Sequence, residues 1–249
     1  MKLMAAGRTD VGCRRKNNQD AIAWRLNDTA QTGFALVADG MGGYEGGGIA
    51  SRLATEAVVD CLEPLLGSPP TDDAAMEMQL QDAISAANER IIEARAGQPE
   101  LSKMGTTLVV AWVHHGRAHL AHLGDSRCYR VRDDGLEQRT RDDTVVQNMV
   151  DDGSITPEEA PRVPFRNVLT RALGSSNDAG ASFDHFDMAA GERLLLCSDG
   201  LPEAVPESEW LAHLKADPDL DSQARRLVDA SLDNQAPDNV SVVLIQTSP

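Results

Sequence analysis

Two stretches of the sequence share one arrangement, a run of apolar residues that ends in Asp-Gly. They are Phe34–Gly40 and Leu194–Gly200, and both apolar runs have the length of a buried β-strand. A third strand-like run, Val240–Leu244, begins shortly after Asp238. A single Asp-Gly is usually a turn. Three carboxylates at strand ends instead favour a shared site for a hard cation, because Mg²⁺ and Mn²⁺ take oxygen ligands.

The elements around these runs predict an α+β fold with antiparallel sheets covered by helices. Apolar residues at helical spacing predict helices, and short β-rich runs between turn residues predict strands. The predicted helices are 49–66, 72–96, 144–152, 207–215 and 222–234, and the predicted strands are 21–26, 34–38, 107–113, 118–123, 127–131, 193–197 and 240–246. We expect a hairpin from the first two strands and an antiparallel meander from the next three. Residues 39–48 and 157–182 are predicted to be irregular.

Charge and cysteine content exclude several classes of protein. The formal net charge is −16 over 249 residues, which argues against binding nucleic acid or anionic membranes, since both need clustered Lys and Arg. No run approaches the roughly 18 consecutive apolar residues of a membrane span, and the N-terminus lacks the pattern of a signal peptide. The four cysteines lie far apart, so we expect reduced thiols in a cytoplasmic protein rather than a zinc site.

Two further segments carry polar residues of related chemistry. Gly12–Asp20 contains Arg15, whose guanidinium can hold a phosphate in a bidentate fork while the carboxylate of Asp20 serves a cation. The Asp125 carboxylate lies between two predicted strands, in a segment that alone would be a hairpin turn. The sequence therefore combines residue types that bind phosphate with residue types that bind metal.

These segments together resemble the metal-dependent serine/threonine protein phosphatases, the type 2C or PPM family, in their bacterial form. The matching segments follow the order of the family's motifs and cover nearly the whole chain. They are Gly12–Ala21, Leu36–Gly43, Met104–Leu108, Leu123–Tyr129, Asn167–Gly174, Leu195–Leu201 and Asp238–Leu244. Each is weak alone, but seven in order are highly specific.

The resemblance implies a four-layer α/β/β/α sandwich of two antiparallel β-sheets flanked by helices. It implies one catalytic domain over residues 1–249, with a mobile flap at about 157–180. In the metal site that it implies, Asp39 would bridge two ions and the Gly40 carbonyl would bind one of them. Asp199 and Asp238 would complete the protein ligands of the other ion, and Asp20 would act through metal-bound water.

The remaining roles implied by the resemblance concern a third ion and the substrate. Asp125 would bind a third, weaker metal together with Asp199, and Glu203 lies where family members often carry an acid near that ion. Arg15 would bind the substrate phosphate. Two divalent ions about 3.5–4 Å apart can acidify a water and neutralise charge on a phosphoryl group, so the residues agree with this chemistry.

The implied activity is hydrolysis of phosphoserine and phosphothreonine on proteins, with two Mn²⁺ or Mg²⁺ ions in the core site and a third left open. The expected partners are phosphorylated proteins and a cognate serine/threonine kinase whose action the phosphatase opposes. We expect a monomer in the cytoplasm, with no nucleic-acid or membrane partner.

The chain departs from the bacterial pattern of the family at three places. Tyr44 stands where His is common, Gly48 stands where an acidic residue is usual, and the Thr-x-Asp-His motif ends in Asp143 instead of His. Met41 occupies the position at which eukaryotic relatives carry a His that can protonate the leaving group. The general acid is therefore left open between a metal-bound water and one of four histidines. These are His114, His115, His119 and His122.

Three other functions have some support in the sequence. A non-catalytic phosphoprotein-binding regulator is disfavoured because the aspartates and Arg15 are intact. A simple calcium-binding protein is disfavoured because the acidic segment Asp217–Ser222 lacks the Gly and Glu of a calcium loop. A small-molecule phosphatase on the same fold stays open. The chain has neither a Cys-x5-Arg loop nor a GxxxxGK[ST] loop, so two rival phosphate chemistries lack their core residues.

Overall fold

The structure is a computed structural model that describes residues 1–43, 45–176 and 179–248. Its strands are β1 (Leu3–Asp10), β2 (Asp20–Leu26), β3 (Thr32–Met41), β4 (Gly105–Thr106), β5 (Leu108–His114), β6 (Arg117–Leu123), β7 (Arg127–Arg132), β8 (Gly135–Gln138), β9 (Ser182–Asp187), β10 (Arg193–Cys197) and β11 (Val240–Thr247). Its α-helices are α1 (Gly46–Leu62), α2 (Asp73–Arg95), α3 (Val145–Asp151), α4 (Gly200–Ala204), α5 (Glu207–Lys215) and α6 (Leu220–Asp233). Short 3₁₀-helices lie at Glu63–Gly67, Pro99–Leu101 and Ala160–Arg162.

The strands form two sheets in which every pairing is antiparallel. The first sheet has the order β1-β11-β10-β7-β8. The second sheet has the order β2-β3-β5-β6-β9, and β4 pairs with the end of β3. Among the residues described, no helix is both long and apolar enough to cross a membrane.

Three apolar cores hold the layers together. One core lies between the two sheets and includes Val37, Val109 and Leu196. A second core packs the outer face of the second sheet against α1 and α2, and a third packs the outer face of the first sheet against α4, α5 and α6. Alternate residues of each central strand face opposite cores, which explains why the strands are apolar almost throughout. The predicted four-layer α/β/β/α sandwich is thereby confirmed.

The long helices begin where the sequence provides a cap. The Asp72 carboxylate accepts a hydrogen bond from the backbone N–H of Ala75 at 2.8 Å, and Asp219 caps α6 in the same way through the N–H of Ser222 at 2.9 Å. Along α2 the buried side chains recur every three or four residues, so one face of the helix covers the second sheet. The helices predicted at 72–96 and 207–215 are confirmed.

The structure corrects the prediction that residues 39–48 are irregular. Strand β3 continues to Met41 because Gly40 and Met41 pair with β4, a partner that lies far along the chain. Helix α1 begins at Gly46, although glycine is a poor helix former, because Gly46 and Gly47 pack closely against Met104 and the backbone of β3. This helix ends at Leu62, before Pro64, rather than at 66.

The predicted meander is wrong in its last member. Strands β5 and β6 pair as expected, but β7 leaves for the first sheet, where it lies between β10 and β8. The segment Leu123–Arg127 is therefore a crossing between sheets and not a hairpin turn. The prediction lacks strands β1, β4, β8 and β9 and helix α4, and the described residues from 157 to 181 contain only the short 3₁₀-helix as regular structure.

Candidate active site

The predicted acidic residues meet at one end of the sandwich, where both sheets contribute strand termini. Asp20 begins β2 and lies directly opposite Asp39 of β3 in the register of the second sheet. Asp199 follows β10 and Asp238 precedes β11, both in the first sheet, while Asp125 lies on the crossing between the sheets. A cleft of about 570 Å³ is lined by Arg15, Asp39, Gly40, Asp125, Asp199 and Asp238.

Asp39 is held by its backbone, and its carboxylate lies beside those of Asp20 and Asp199. Its N–H donates to Thr107 Oγ1 at 3.0 Å, and its carbonyl oxygen accepts from Thr106 Oγ1 at 2.8 Å and from the Thr107 N–H at 2.9 Å. The next residue must be glycine, because a Cβ on Gly40 would lie 2.0 Å from the carbonyl oxygen of Gly47. The tight packing of strand β3 against α1 thus presents Asp39 and the Gly40 backbone to the cleft.

Asp20 lies behind the cleft and is anchored through one carboxylate oxygen. Its Oδ2 accepts hydrogen bonds from Ser198 Oγ at 2.8 Å and from Ser241 Oγ at 2.6 Å. Its Oδ1 is buried and has no hydrogen-bond partner, and the same is true of Asp199 Oδ1. Buried anionic oxygens without donors are costly, so each of these two atoms needs a cation or a proton.

The carboxylates raise one another's pKa because they are buried side by side. Burial raises the pKa of Asp20 to about 6, against the hydrogen bonds from the two serines. Burial raises the pKa of Asp125 to about 7, with the charge of Asp142 adding to the effect. The pKa values of Asp39 and Asp199 lie well above their usual range, first because of burial and then because of the neighbouring aspartates.

This donor set fits divalent metal ions of the hard type. It offers carboxylate oxygens and one glycine carbonyl, and two of its buried oxygens lack any donor. Within the described part of the chain, no group of three or more His, Cys, Asp or Glu side chains is already arranged to hold a metal ion. Mg²⁺ usually keeps several waters and binds through one or two carboxylates, so it does not need a complete cage of protein ligands.

The loop that carries Arg15 is fixed to the rim of the cleft by Asn239, a buried residue of the matched segment Asp238–Leu244 whose role the sequence did not indicate. The Asn239 side chain accepts from the Gln19 N–H at 2.8 Å and donates to the carbonyl oxygens of Val11 and Asn17 at 2.9 and 3.1 Å. Arg15 Nη2 then reaches Asp238 Oδ2 at 2.5 Å, although the Arg15 side chain is 55% exposed. The guanidinium is therefore placed at the cleft and is still accessible to a ligand.

Glu203 lies in an adjoining cleft that shares Asp125 and Asp199 with the first. Its Oε1 accepts from Arg166 Nη2 at 3.2 Å and from Asn167 Nδ2 at 3.4 Å. These donors come from the irregular segment that follows α3. Glu203 thus stands near the predicted third ion but is engaged with the wall of the site.

The four histidines left open as the general acid do not line the cleft. His119 Nε2 contacts Asp73 Oδ1 at 2.7 Å, His122 Nε2 contacts the Arg141 carbonyl oxygen at 2.8 Å, and His114 Nδ1 contacts Thr32 Oγ1 at 2.8 Å. His115 packs edge-on against His114. These contacts give each of the four histidines a structural role in the sheet or its surroundings. Tyr44, one of the departures from the motif, lies outside the described residues.

Three serine and threonine residues that the sequence did not single out support the carboxylates. Ser198 and Ser241 hold Asp20, and Thr107 orients Asp39 while its hydroxyl lies 2.7 Å from Ser126 Oγ. All three residues, Thr107, Ser198 and Ser241, lie inside matched motif segments, and this is the signal that the sequence contains. Their function as supports depends on contacts across the sheets, which spacing alone does not reveal.

Comparison with known proteins shows which family the chain resembles. A family model of protein phosphatase 2C matches residues 13–240. The serine/threonine protein phosphatase PstP of Mycobacterium tuberculosis is 38% identical over 242 residues, which cover 97% of this chain and 44% of that protein. The serine/threonine phosphatase stp of Listeria innocua is 32% identical over 244 residues, covering 98% of this chain and 96% of that one.

A solved structure of a related phosphatase is also similar to this chain. The catalytic domain of PstP in complex with two manganese ions superposes with a TM-score of 0.84 at 37% identity, covering 99% of each chain. The chain belongs to the protein phosphatase 2C family. It spans less than half the length of the mycobacterial PstP that it matches.

Proposed function

We propose that the chain is a metal-dependent protein serine/threonine phosphatase that hydrolyses phosphoserine and phosphothreonine on proteins. The observation that carries the proposal is the meeting of Asp39, Asp125, Asp199 and Asp238 in one cleft with Arg15 at the rim. Relatives that bear the name serine/threonine phosphatase support the substrate class. The catalytic residues of this proposal are Asp39 and Arg15.

The carboxylates have different proposed roles toward the metal ions. Asp39 would hold two Mn²⁺ or Mg²⁺ ions together with the Gly40 carbonyl, and Asp199 and Asp238 would complete one of these sites. Asp125 would hold a third ion together with Asp199, with Glu203 near that ion, and Asp20 would act through metal-bound water. When bound, two such ions supply an acidified water and offset the charge on the phosphoryl oxygens.

Arg15 gives the cleft its selectivity for a phosphoryl group. Its guanidinium donates to Asp238, so one face of the fork is engaged while the exposed remainder can bind phosphate oxygens. Lys16, the next residue, also lines the cleft and adds positive charge to the same rim. With metal ions held by the acidic floor, the ions and the basic rim would together orient a phosphomonoester with its phosphorus toward the floor of the cleft.

The remaining expectations belong to the same proposal. The domain comprises residues 1–249, and the flap beside the cleft comprises about 157–180, of which 177 and 178 lie outside the described residues. The partners are phosphorylated proteins and the serine/threonine kinase that produces them. The net charge of −16 supports a cytoplasmic monomer that does not bind nucleic acid or membranes.

The test is phosphate release from a phosphothreonine peptide. We expect activity with Mn²⁺, none with EDTA, and a loss of about 10²-fold or more in kcat/KM for Asp39→Asn and Asp199→Asn, in the range found for groups that stabilise transition-state charge. Asp229→Asn, a change at an exposed position on α6, is the matched control and should keep full activity. Activity that survives EDTA, or full activity in either site variant, would refute the metal mechanism.

A further inference from the structure

Asp143, which replaces the His of the family motif, is one of the most deeply buried charged side chains in the described part of the chain. Its side chain is 2% exposed. A buried carboxylate is tolerated only where it is paired and hydrogen-bonded. The partners of Asp143 therefore indicate what the residue does.

One side of Asp143 clamps the residue before Asp125. Asp143 Oδ2 accepts from the Gly124 N–H at 3.0 Å, and the Asp143 N–H donates to the Gly124 carbonyl oxygen at 2.9 Å. Gly124 has a φ of +95° and is pressed against Thr107, so the turn has little freedom of its own. Both polar groups of the Gly124 backbone are thus bound to one residue, and Asp125 follows immediately.

The other side of Asp143 holds the chain where it returns from the irregular segment. Its Oδ1 accepts from Arg171 Nη2 at 2.5 Å, and its carbonyl oxygen accepts from the Thr170 N–H at 2.7 Å. The same Nη2 also donates to Ser182 Oγ at 2.7 Å, at the start of β9. Asp143 therefore joins the Asp125 turn to residues 169–173, and Leu169 itself lines the cleft.

We propose that Asp143 is a positioning residue, which fixes the Asp125 carboxylate in the metal site and ties it, through Arg171, to the segment that forms the wall of the cleft. The inference rests on the proposed metal-dependent phosphatase, since it assumes that Asp125 binds an ion. It assigns a use to the departure from the family motif. The second aspartate supplies a charge that pairs with Arg171 and still accepts from Gly124.

The test is calorimetric titration of the metal-free protein with Mn²⁺, a readout that does not depend on activity. We expect Asp143→Asn to raise the dissociation constant of the Mn²⁺ ion that binds Asp125 by about 10- to 100-fold. A loss of this size is usual when a residue that supports a metal ligand is removed. Binding of the ions held by Asp39 and Asp199 should be unchanged. In an Asp125→Asn background, Asp143→Asn should produce no further change, because the group that it positions is absent.

Two further variants keep the test decisive. Glu192→Gln removes a carboxylate that pairs with Arg130 and Arg132 away from the cleft, so it controls for general destabilisation and should bind Mn²⁺ normally. If Asp143→Asn fails to fold, the pair Asp143→Asn/Arg171→Gln replaces both members of the ion pair with amides, which can still hydrogen-bond to each other, and should show the same weakened binding.

Three results would overturn the inference. The first is that Asp143→Asn or Asp143→Asn/Arg171→Gln binds every Mn²⁺ ion as tightly as the unsubstituted protein. The second is that Asp125→Asn/Asp143→Asn loses more Mn²⁺ affinity than Asp125→Asn alone. The third is that Asp125→Asn leaves the titration unchanged. If the titrations behave as expected but no phosphopeptide is hydrolysed, the proposed function fails and the positioning of Asp125 stands.

Discussion

In metal-free protein, replacing Asp125 with Asn should stabilise the fold, although the residue belongs to the proposed active site. Burial raises the pKa of this carboxyl from 3.8 to about 7. A shift of about 3 units corresponds to about 4 kcal/mol of unfavourable free energy when the group is ionised in the folded state. Relaxation around the site reduces this upper value, so we expect a gain of about 2 kcal/mol, or about 4–8 °C in Tm for a chain of this size.

The sign follows from proton linkage. An acid whose pKa is higher in the folded than in the unfolded state binds its proton more tightly when folded. The stability contributed by Asp125 is therefore greatest below pH 4, falls as pH rises from about 4 to 7, and stays low above that. The advantage of Asp125→Asn should accordingly be largest at pH 8 and should shrink at pH 5.

The assay is thermal unfolding followed by circular dichroism, in EDTA at both pH values. Asp229→Asn serves as the control and should show no difference from the unsubstituted protein. Excess Mn²⁺ should stabilise the unsubstituted protein more than Asp125→Asn, because only a folded site that binds the ion gains from it. A variant that is less stable at pH 8 in EDTA, or whose advantage is the same at both pH values, would refute the electrostatic reasoning.

Three other substitutions test phosphate binding, the attachment of the Arg15 loop and the apolar core independently. Arg15→Lys should raise KM for a phosphopeptide and the inhibition constant of inorganic phosphate by about 10-fold each, since Lys lacks the bidentate fork. Steady-state kinetics measures both constants. Unchanged constants would show that Arg15 does not bind the phosphate. Asn239→Ala should lower stability by about 2–3 kcal/mol in urea unfolding, because three partly buried hydrogen bonds to the Arg15 loop are lost. A change below about 0.5 kcal/mol would show that the loop is held otherwise. Trp210→Ala should cost about 3–5 kcal/mol in the same assay by opening the core between the first sheet and α5, while Mn²⁺ binding to the folded protein stays intact; a parallel loss of binding would contradict the separation of core and site.

The residues of the site could be predicted from the sequence because their pattern is local. Asp39 and Asp199 each follow an apolar run in the sequence, and the structure places both in one cleft with Asp238. The long helices were also predictable, since their apolar spacing and capping residues are contained within each segment.

The missed elements depend on partners that lie far along the chain. Strand β9, Ser182–Asp187, is largely polar and is a strand only because it pairs with β6 at the sheet edge. Strand β7 was assigned to the wrong sheet because its apolar pattern suits either neighbour, and only pairing with β10 distinguishes them. The contacts of Asn239 and Asp143 join segments that come together only in the folded chain, so no local pattern reveals them.

The central claim is that the carboxylates at the end of the two sheets hold divalent metal for phosphate chemistry. The most direct measurement is X-ray diffraction from crystals grown with Mn²⁺, with anomalous differences collected at the manganese absorption edge. We expect two strong anomalous peaks within the cleft, both beside Asp39 and one beside Asp199 and Asp238, and their loss in crystals of Asp39→Asn. A cleft without anomalous density at saturating Mn²⁺, or peaks confined to other carboxylates on the surface, would contradict the account.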